Sequence, residues 1–299
     1  MFKLPPEIDI DNLINDLRVL SWEVSEIFHD YAQILKDSNN KSNILQNGNL
    51  DDPVTLADLK VNEVIIRRIN ANYKNINWEI LSEENVKIHP HKIINKNFLW
   101  VLDPLDGTKD FLQGTGNYAM HLGLNYRNKP VLGIVLIPDK DELWITNHEK
   151  VWCESRYGTI KEINLSKKFD INDMIIVTSK NHRNQTLQNL INKLNFKEVI
   201  VMGSIGCKIA SILRGESDIY ICLSLPGESC PKDWDFSAPE AILKAAGGAI
   251  TNLHNEDLTY ANSDFEQKGI IVASSNRLIH ENICLEIKEI IKKYNLYPL

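Results

Sequence analysis

Between Trp78 and Gly158 the sequence is a succession of short apolar runs separated by turn signals, and after about Leu165 such runs alternate with stretches of helical period. That change of rhythm constrains the fold more than any other feature of the chain. Residues 98–102, 118–126, 131–137 and 142–146 are strand-length, with turns expected at 128–130 and 138–139, so the first block predicts an antiparallel meander. In the second block, strands over 174–177, 199–202, 218–222 and 270–273 interleave with helices over 184–194, 207–213, 238–246 and 278–292. Alternation of that kind predicts α/β units.

Two helices are expected ahead of the meander. Leu13, Ile14, Leu17, Leu20, Val24, Ile27, Phe28, Tyr31 and Ile34 recur at spacings of three and four and form one apolar stripe. Thr55-Leu56-Ala57-Asp58 resembles a capping box and opens a second helix to about Tyr73, with Leu56, Leu59, Val64, Ile65 and Ile69 inward. The Asn-rich stretch over 37–49 between them reads as a loop. The fold class is therefore α/β, organised as an α+β half over residues 1–165 and an α/β half over 166–299.

Composition narrows the function. The formal net charge of −7 argues against a nucleic-acid coat, which needs surplus cations for phosphate contacts. The longest apolar run, 131–137, is far short of the ~20 residues of a membrane span. The five cysteines, Cys153, Cys207, Cys222, Cys230 and Cys284, are scattered and odd in number, so reduced thiols and a cytoplasmic location are expected. Cys207 is expected to be a buried, inert thiol rather than a redox sensor.

The chemistry concentrates at Asp103-Pro104-Leu105-Asp106-Gly107-Thr108. An apolar strand runs into Asp103, Pro104 is expected to end it, and Asp106 is expected to cap a following helix. Two carboxylates then share a sharp turn beside helix N-terminal N–H groups, a setting that suits a hard cation and an anionic oxygen. The plainer alternative is an Asx turn followed by a cap. Further acids stand at Glu83-Glu84 after a short apolar stretch, at Asp235 near a helix start, and at Asp58. The set has no histidine partner, and oxygen-only ligands suit Mg²⁺ or Mn²⁺ rather than zinc. A shared carboxylate can hold two such ions about 3.5–4 Å apart, the arrangement for in-line attack on phosphorus.

In this ordered combination the chain resembles the lithium-sensitive, magnesium-dependent phosphatase superfamily of inositol monophosphatase and fructose-1,6-bisphosphatase. The resemblance runs from about Pro53 to Ala273 and includes Trp234-Asp235 and Ala245-Ala246-Gly247-Gly248. Within the superfamily the chain is most similar to the CysQ-type 3′(2′),5′-bisphosphate nucleotidases. Asp52 to Asp58 resembles their S-P-V-T-x-A-D, Asp103 to Phe111 their D-P-L-D-G-T-K-x-F, and Gly203 to Lys208 their G-x-x-G-x-K.

The resemblance implies a layered αβαβα sandwich with the active site between the halves. It implies that Glu83, Asp103 and the Leu105 carbonyl hold a first Mg²⁺ and that Asp103, Asp106 and Asp235 hold a second, with two or three ions per site. It makes Asp58 and Thr108, with Glu83, the groups that position and activate water, and the Gly107 and Thr108 amides the holders of the scissile phosphate. Ser204 and Lys208 in the G-x-x-G-x-K segment, and His182 where relatives carry S-R-S-H, are the implied substrate contacts. For Lys208 the alternative is a helix-surface lysine, and Lys180 in place of arginine loses a bidentate fork. The stretch 223–231 is longer than in typical relatives, close to Asp235. The implied reaction converts 3′-phosphoadenosine 5′-phosphate to AMP and phosphate. Inositol-1-phosphate or fructose-1,6-bisphosphate hydrolysis is the alternative on the same site, and a non-catalytic metal- or nucleotide-binding protein is the alternative of a different class.

Overall fold

A computed structural model describes residues 4–36, 45, 54–88, 97–180 and 183–298. The first sheet takes its strands in chain order: β1 (Glu79–Ser82), β2 (Phe98–Asp106), β3 (Ala119–Tyr126), β4 (Lys129–Ile137), β5 (Glu142–Thr146), β6 (Val151–Glu154) and β7 (Ile160–Lys161). From β2 onward every pairing is antiparallel, as the run of turn signals predicts. The added β1 is parallel to β2. The β3–β4 turn falls one residue earlier than expected. Arg127 and Asn128 take φ of 49° and 60°, the two-residue hairpin turn whose twist matches its strands. Pro130 lies inside β4, opposite Asn125, where the register shifts.

The second sheet has the order β11-β12-β10-β8-β9, with β8 (Ile175–Ser179), β9 (Glu198–Met202), β10 (Ile219–Leu223), β11 (Ala249–Asn252) and β12 (Ile270–Ser274). Strands β9, β8 and β10 are parallel, and β12 and β11 extend the sheet antiparallel. From β8 the chain steps one way through α5 (Gln185–Leu194) to β9, then back through α6 (Ile205–Leu213) to β10 on the far side of β8. Right-handed crossovers in opposite directions must lie on opposite faces of the sheet. That rule sends α5 outward and α6 inward, toward the first sheet.

The layers follow. Helices α1 (Ile10–Lys36) and α2 (Leu56–Asn72) bury Leu17, Phe28, Val61 and Ile65 against Leu122, Ile134 and Leu136 of the first sheet. The opposite face of β4, through Val135 and Ile137, meets α6 and α7 (Asp233–Ala246), whose Ile209, Phe236 and Ile242 also cover Tyr220 and Ala273 of the second sheet. On the outer face, α5 and α8 (His280–Tyr294) close over Ile219, Ile221 and Val272. The architecture is thus the αβαβα sandwich. Of the predicted α2 stripe, Ile65 and Ile69 are buried, whereas Leu56, Leu59 and Val64 are only half-buried. Helix α7 starts at Asp233, ahead of the expected position, and carries Pro239 inside it.

Helix α7 lies unusually close to the first sheet. Gly123 and Gly133 are cross-strand partners on β3 and β4. A Cβ on Gly133 would sit 2.6 Å from the Ala238 carbonyl oxygen, and one on Gly123 would collide with Ser237 Oγ. The paired glycines form the groove in which the helix rests.

A buried histidine docks the last helix. His280 Nδ1 lies 2.7 Å from Ser274 Oγ and Nε2 2.8 Å from Thr251 Oγ1. Burial, aided by the positive charges of Lys244 and Arg277, lowers its pKa from 6.5 to about 4. The folded protein therefore holds it neutral, and its contribution is complete above pH 6.5. That contribution is lost as pH falls toward 4, by ~3 kcal/mol in total. Urea unfolding of the protein and of His280→Gln is expected to show a stability difference that changes by this amount between pH 7 and 4. A pH-independent difference would contradict the assignment.

Candidate metal centre

Asp103 and Asp106 are three residues apart, so in a regular strand their side chains would face opposite sides. The structure resolves this with a β-bulge. Asp103 pairs with His121 and Asp106 with Ala119, so three steps along β2 match two along β3. The extra residue brings both carboxylates to the face looking at α6 and α7. Pro104 therefore does not end the strand as expected. Proline has no N–H to place in the ladder, and a bulge within the strand accommodates it.

Helix α7 supplies the third carboxylate from across the interlayer. Oxygens of Asp103, Asp106 and Asp235 lie within 4.8 Å of one another. Asp235 stands in the first turn of α7, where its carboxylate accepts the Lys232 backbone N–H. Burial, then the neighbouring Glu83, Asp106 and Asp235, pushes the Asp103 pKa well above the usual carboxylate range. Burial and the charge of Asp106 do the same to Asp235. Glu83, the first residue of α3 (Glu83–Ile88) at the end of β1, shares a hydrogen bond with Asp103, and its pKa is raised, chiefly by burial. Lys87 ion-pairs with both Glu83 and Glu84 at 3.0 Å. Acids that are buried, as Asp103 is, or half-buried, as Glu83, Asp106 and Asp235 are, that repel one another and offer only oxygens fit a hard divalent cation, which would offset both costs.

Asp106 does not cap the helix that follows it. The N-cap of α4 (Thr108–Gln113) is Gly107, at φ 90°. A Cβ there would meet the Asn117 carbonyl oxygen at 3.0 Å, so the position requires glycine on both grounds. Asp106 Oδ2 instead accepts from Ser204 Oγ at 2.7 Å, from the Ile205 N–H and from the Gly206 N–H at 3.3 Å. The carboxylate thus caps α6 across the interlayer, where the helix dipole favours it. Ser204 takes φ 44° and ψ 131°, a strained setting for a residue with a side chain.

Asp58 closes the predicted capping box on Thr55. Its other oxygen, Oδ1, lies 3.3 Å from Thr108 Oγ1, which also lies 3.1 Å from the Leu105 carbonyl oxygen. Burial raises the Asp58 pKa to about 7, despite the Thr55 hydrogen bonds. Lys208 is neither a surface lysine nor open to solvent. It is 2% exposed, its Nζ donates to the Ser204 carbonyl at 3.1 Å and lies 5.3 Å from the centre of the Tyr220 ring. Burial lowers its pKa. Cys207 is buried and its thiol pKa is pushed up to about 12, the inert state expected. His182 lies outside the described residues.

One neighbour of the acids is a histidine, although the acidic motifs themselves contain none. His121 is fully buried on β3, with Nε2 3.3 Å from Asp106 Oδ2 and Nδ1 3.4 Å from the Trp234 carbonyl oxygen. A single histidine in an apolar strand carries no spacing signal, and only the bulged register reveals its position.

Comparison with known proteins bears on this geometry. The inositol monophosphatase family profile matches residues 9–292. The 3′(2′),5′-bisphosphate nucleotidase CysQ of Buchnera aphidicola is 31% identical over 210 residues, covering 70% of this chain and 74% of that protein. Among solved structures, CysQ from Bacteroides thetaiotaomicron, a bacterial member of the inositol monophosphatase family, superposes with a TM-score of 0.64 at 25% identity, covering 85% of this chain and 94% of that one. Inositol monophosphatase from Anabaena (Nostoc) sp. PCC 7120 shares the fold, with a TM-score of 0.71 at 20% identity, covering 94% and 97%.

Proposed function

The chain belongs to the inositol monophosphatase family as a phosphatase of CysQ type, and from that membership we propose that it hydrolyses 3′-phosphoadenosine 5′-phosphate to AMP and inorganic phosphate. The observation that carries the reading is the convergence of Asp103, Asp106 and Asp235 from two layers, beside the Asp58–Thr108 contact. Glu83, Asp103 and the Leu105 carbonyl would hold one Mg²⁺, and Asp103, Asp106 and Asp235 another. Mn²⁺ suits the same oxygens. Such ions neutralise phosphoryl oxygens and acidify water when bound.

The chain's own groups do the rest. Thr108 Oγ1 orients the attacking water, and Asp58 Oδ1, with its pKa near 7, is poised to take up the proton. The Gly107 and Thr108 N–H groups begin α4 and have no acceptor within the helix, so they receive the phosphoryl oxygens. Ser204 faces the nucleotide's second phosphate, whereas Lys208, buried with its Nζ on the Ser204 carbonyl oxygen, does not reach it. The Lys208 side chain supports the 203–206 turn from behind, and His182 would contact base or ribose.

Phosphate release from 3′-phosphoadenosine 5′-phosphate, inositol 1-phosphate and fructose 1,6-bisphosphate, measured side by side, tests the reading. The bisphosphonucleotide is expected to lead by at least about tenfold in kcat/KM, and removal of Mg²⁺ by a chelator is expected to abolish turnover of all three. A higher kcat/KM for either other ester would overturn the substrate assignment, and chelator-resistant turnover the cation site.

A further inference from the structure

We propose that His121 is a positioning residue of the cation site, acting through Asp106. The inference rests on the reading of Asp103, Asp106 and Asp235 as cation ligands, and goes beyond it. His121 is the cross-strand partner of Asp103 and of Val135, so its ring stands on the same face of the sheet as the two acids of the bulge. The ring is wedged among three other elements. Its Nδ1 faces the Trp234 carbonyl oxygen at 3.4 Å, one residue before Asp235 on α7. Its Nε2 lies 3.3 Å from Asp106 Oδ2 without a hydrogen bond of good geometry. Helix α6 presses on it from above, since a Cβ on Gly206 would collide with Nε2. No smaller residue on β3 would span these contacts.

The consequence is geometric. Asp106 Oδ2 is enclosed by Ser204 Oγ, the Ile205 and Gly206 N–H groups and the imidazole edge. With the ring in place, the carboxylate has one orientation, that in which an oxygen faces Asp103 and Asp235. The same ring sets the distance between the bulge and the first turn of α7, and so the span between Asp106 and Asp235. Groups behind a ligand that fix its direction are typically worth about 10–100-fold in metal affinity.

Titration calorimetry with Mn²⁺ on the intact protein tests this without relying on turnover. His121→Ala is expected to weaken Mn²⁺ binding by about 10–100-fold, and His121→Gln, which keeps an amide near the Nε2 position, is expected to recover part of the loss. Raising Mn²⁺ should restore most of the kcat of His121→Ala. Leu136→Ala, a truncation of a buried residue on the opposite face of the sheet, is the packing control. It is expected to lower the melting temperature and leave Mn²⁺ affinity unchanged. Equal affinity in His121→Ala and the unaltered protein would overturn the role of His121 alone, as would an equal loss in Leu136→Ala. An unaltered protein that binds no Mn²⁺ would overturn both this role and the cation-site reading.

Discussion

Asp106→Asn is expected to lower phosphate release by about three orders of magnitude while leaving the fold standing. The two halves of that expectation come from different sides of one carboxylate. On the α6 side, Oδ2 accepts from Ser204, Ile205 and Gly206, and an asparagine carbonyl oxygen accepts from the same donors, so the cap survives. The amide NH₂ then turns toward Asp103 and Asp235, to which it donates hydrogen bonds in place of a cation. Removing one of several mutually repelling charges relieves the pocket, whose Asp103 and Asp235 have raised pKa values partly because of Asp106. Melting temperature without cations should therefore hold or rise, and Mg²⁺ should no longer raise it. Turnover within tenfold of the unaltered protein would sink the cation assignment.

Gly133→Val is expected to be the most damaging change outside the acids. The new Cβ would lie 2.6 Å from the Ala238 carbonyl oxygen and 2.9 Å from the Ala241 Cβ. The first of these is helix backbone, so no side-chain rotation relieves it. Overpacking of this kind typically costs ~1–3 kcal/mol, and valine adds two methyl groups beyond the Cβ. The strain moves α7 away from β3 and β4, and Asp235 moves with it. Displacements near 1 Å cost about a hundredfold in rate. Gly123→Ala makes a useful contrast, because its main collision is with the Ser237 hydroxyl. Adding Ser237→Ala should recover part of that loss, whereas no single side-chain deletion should rescue Gly133→Val. Melting curves and kcat measured on the same samples decide both.

Much of this was legible in the residues, and the exceptions have physical causes. Alternation and turn signals located β3, β4 and β5 to within two residues because each strand is flanked by residues that break it. The capping box at Thr55 and Asp58 was legible because its two hydrogen bonds join residues three apart. Pro104 misled because its missing N–H argues against a central strand, and only the pairing partner reveals a bulge that tolerates it. In sequence Asp106 has the look of a local cap, although its partners lie about a hundred residues away at Ser204 and Ile205. His121 was invisible for the same reason. Lys208 sits in a recognisable segment, yet its burial depends on which face α6 turns to the first sheet, and crossover handedness decides that.

The enclosure of α7 between the two sheets has a further meaning for how the molecule matures. The acids it brings together, Asp103, Asp106 and Asp235, come from stretches of chain far apart in sequence. Long-range contacts of this kind form only after the cost of closing the chain has been met. A centre built from such contacts is expected to complete late in folding, and a cation that bound only the finished arrangement would act as a latch on it, drawing molecules toward the native state by mass action. A count of competent sites in a refolded sample is in effect a count of molecules whose layers have met.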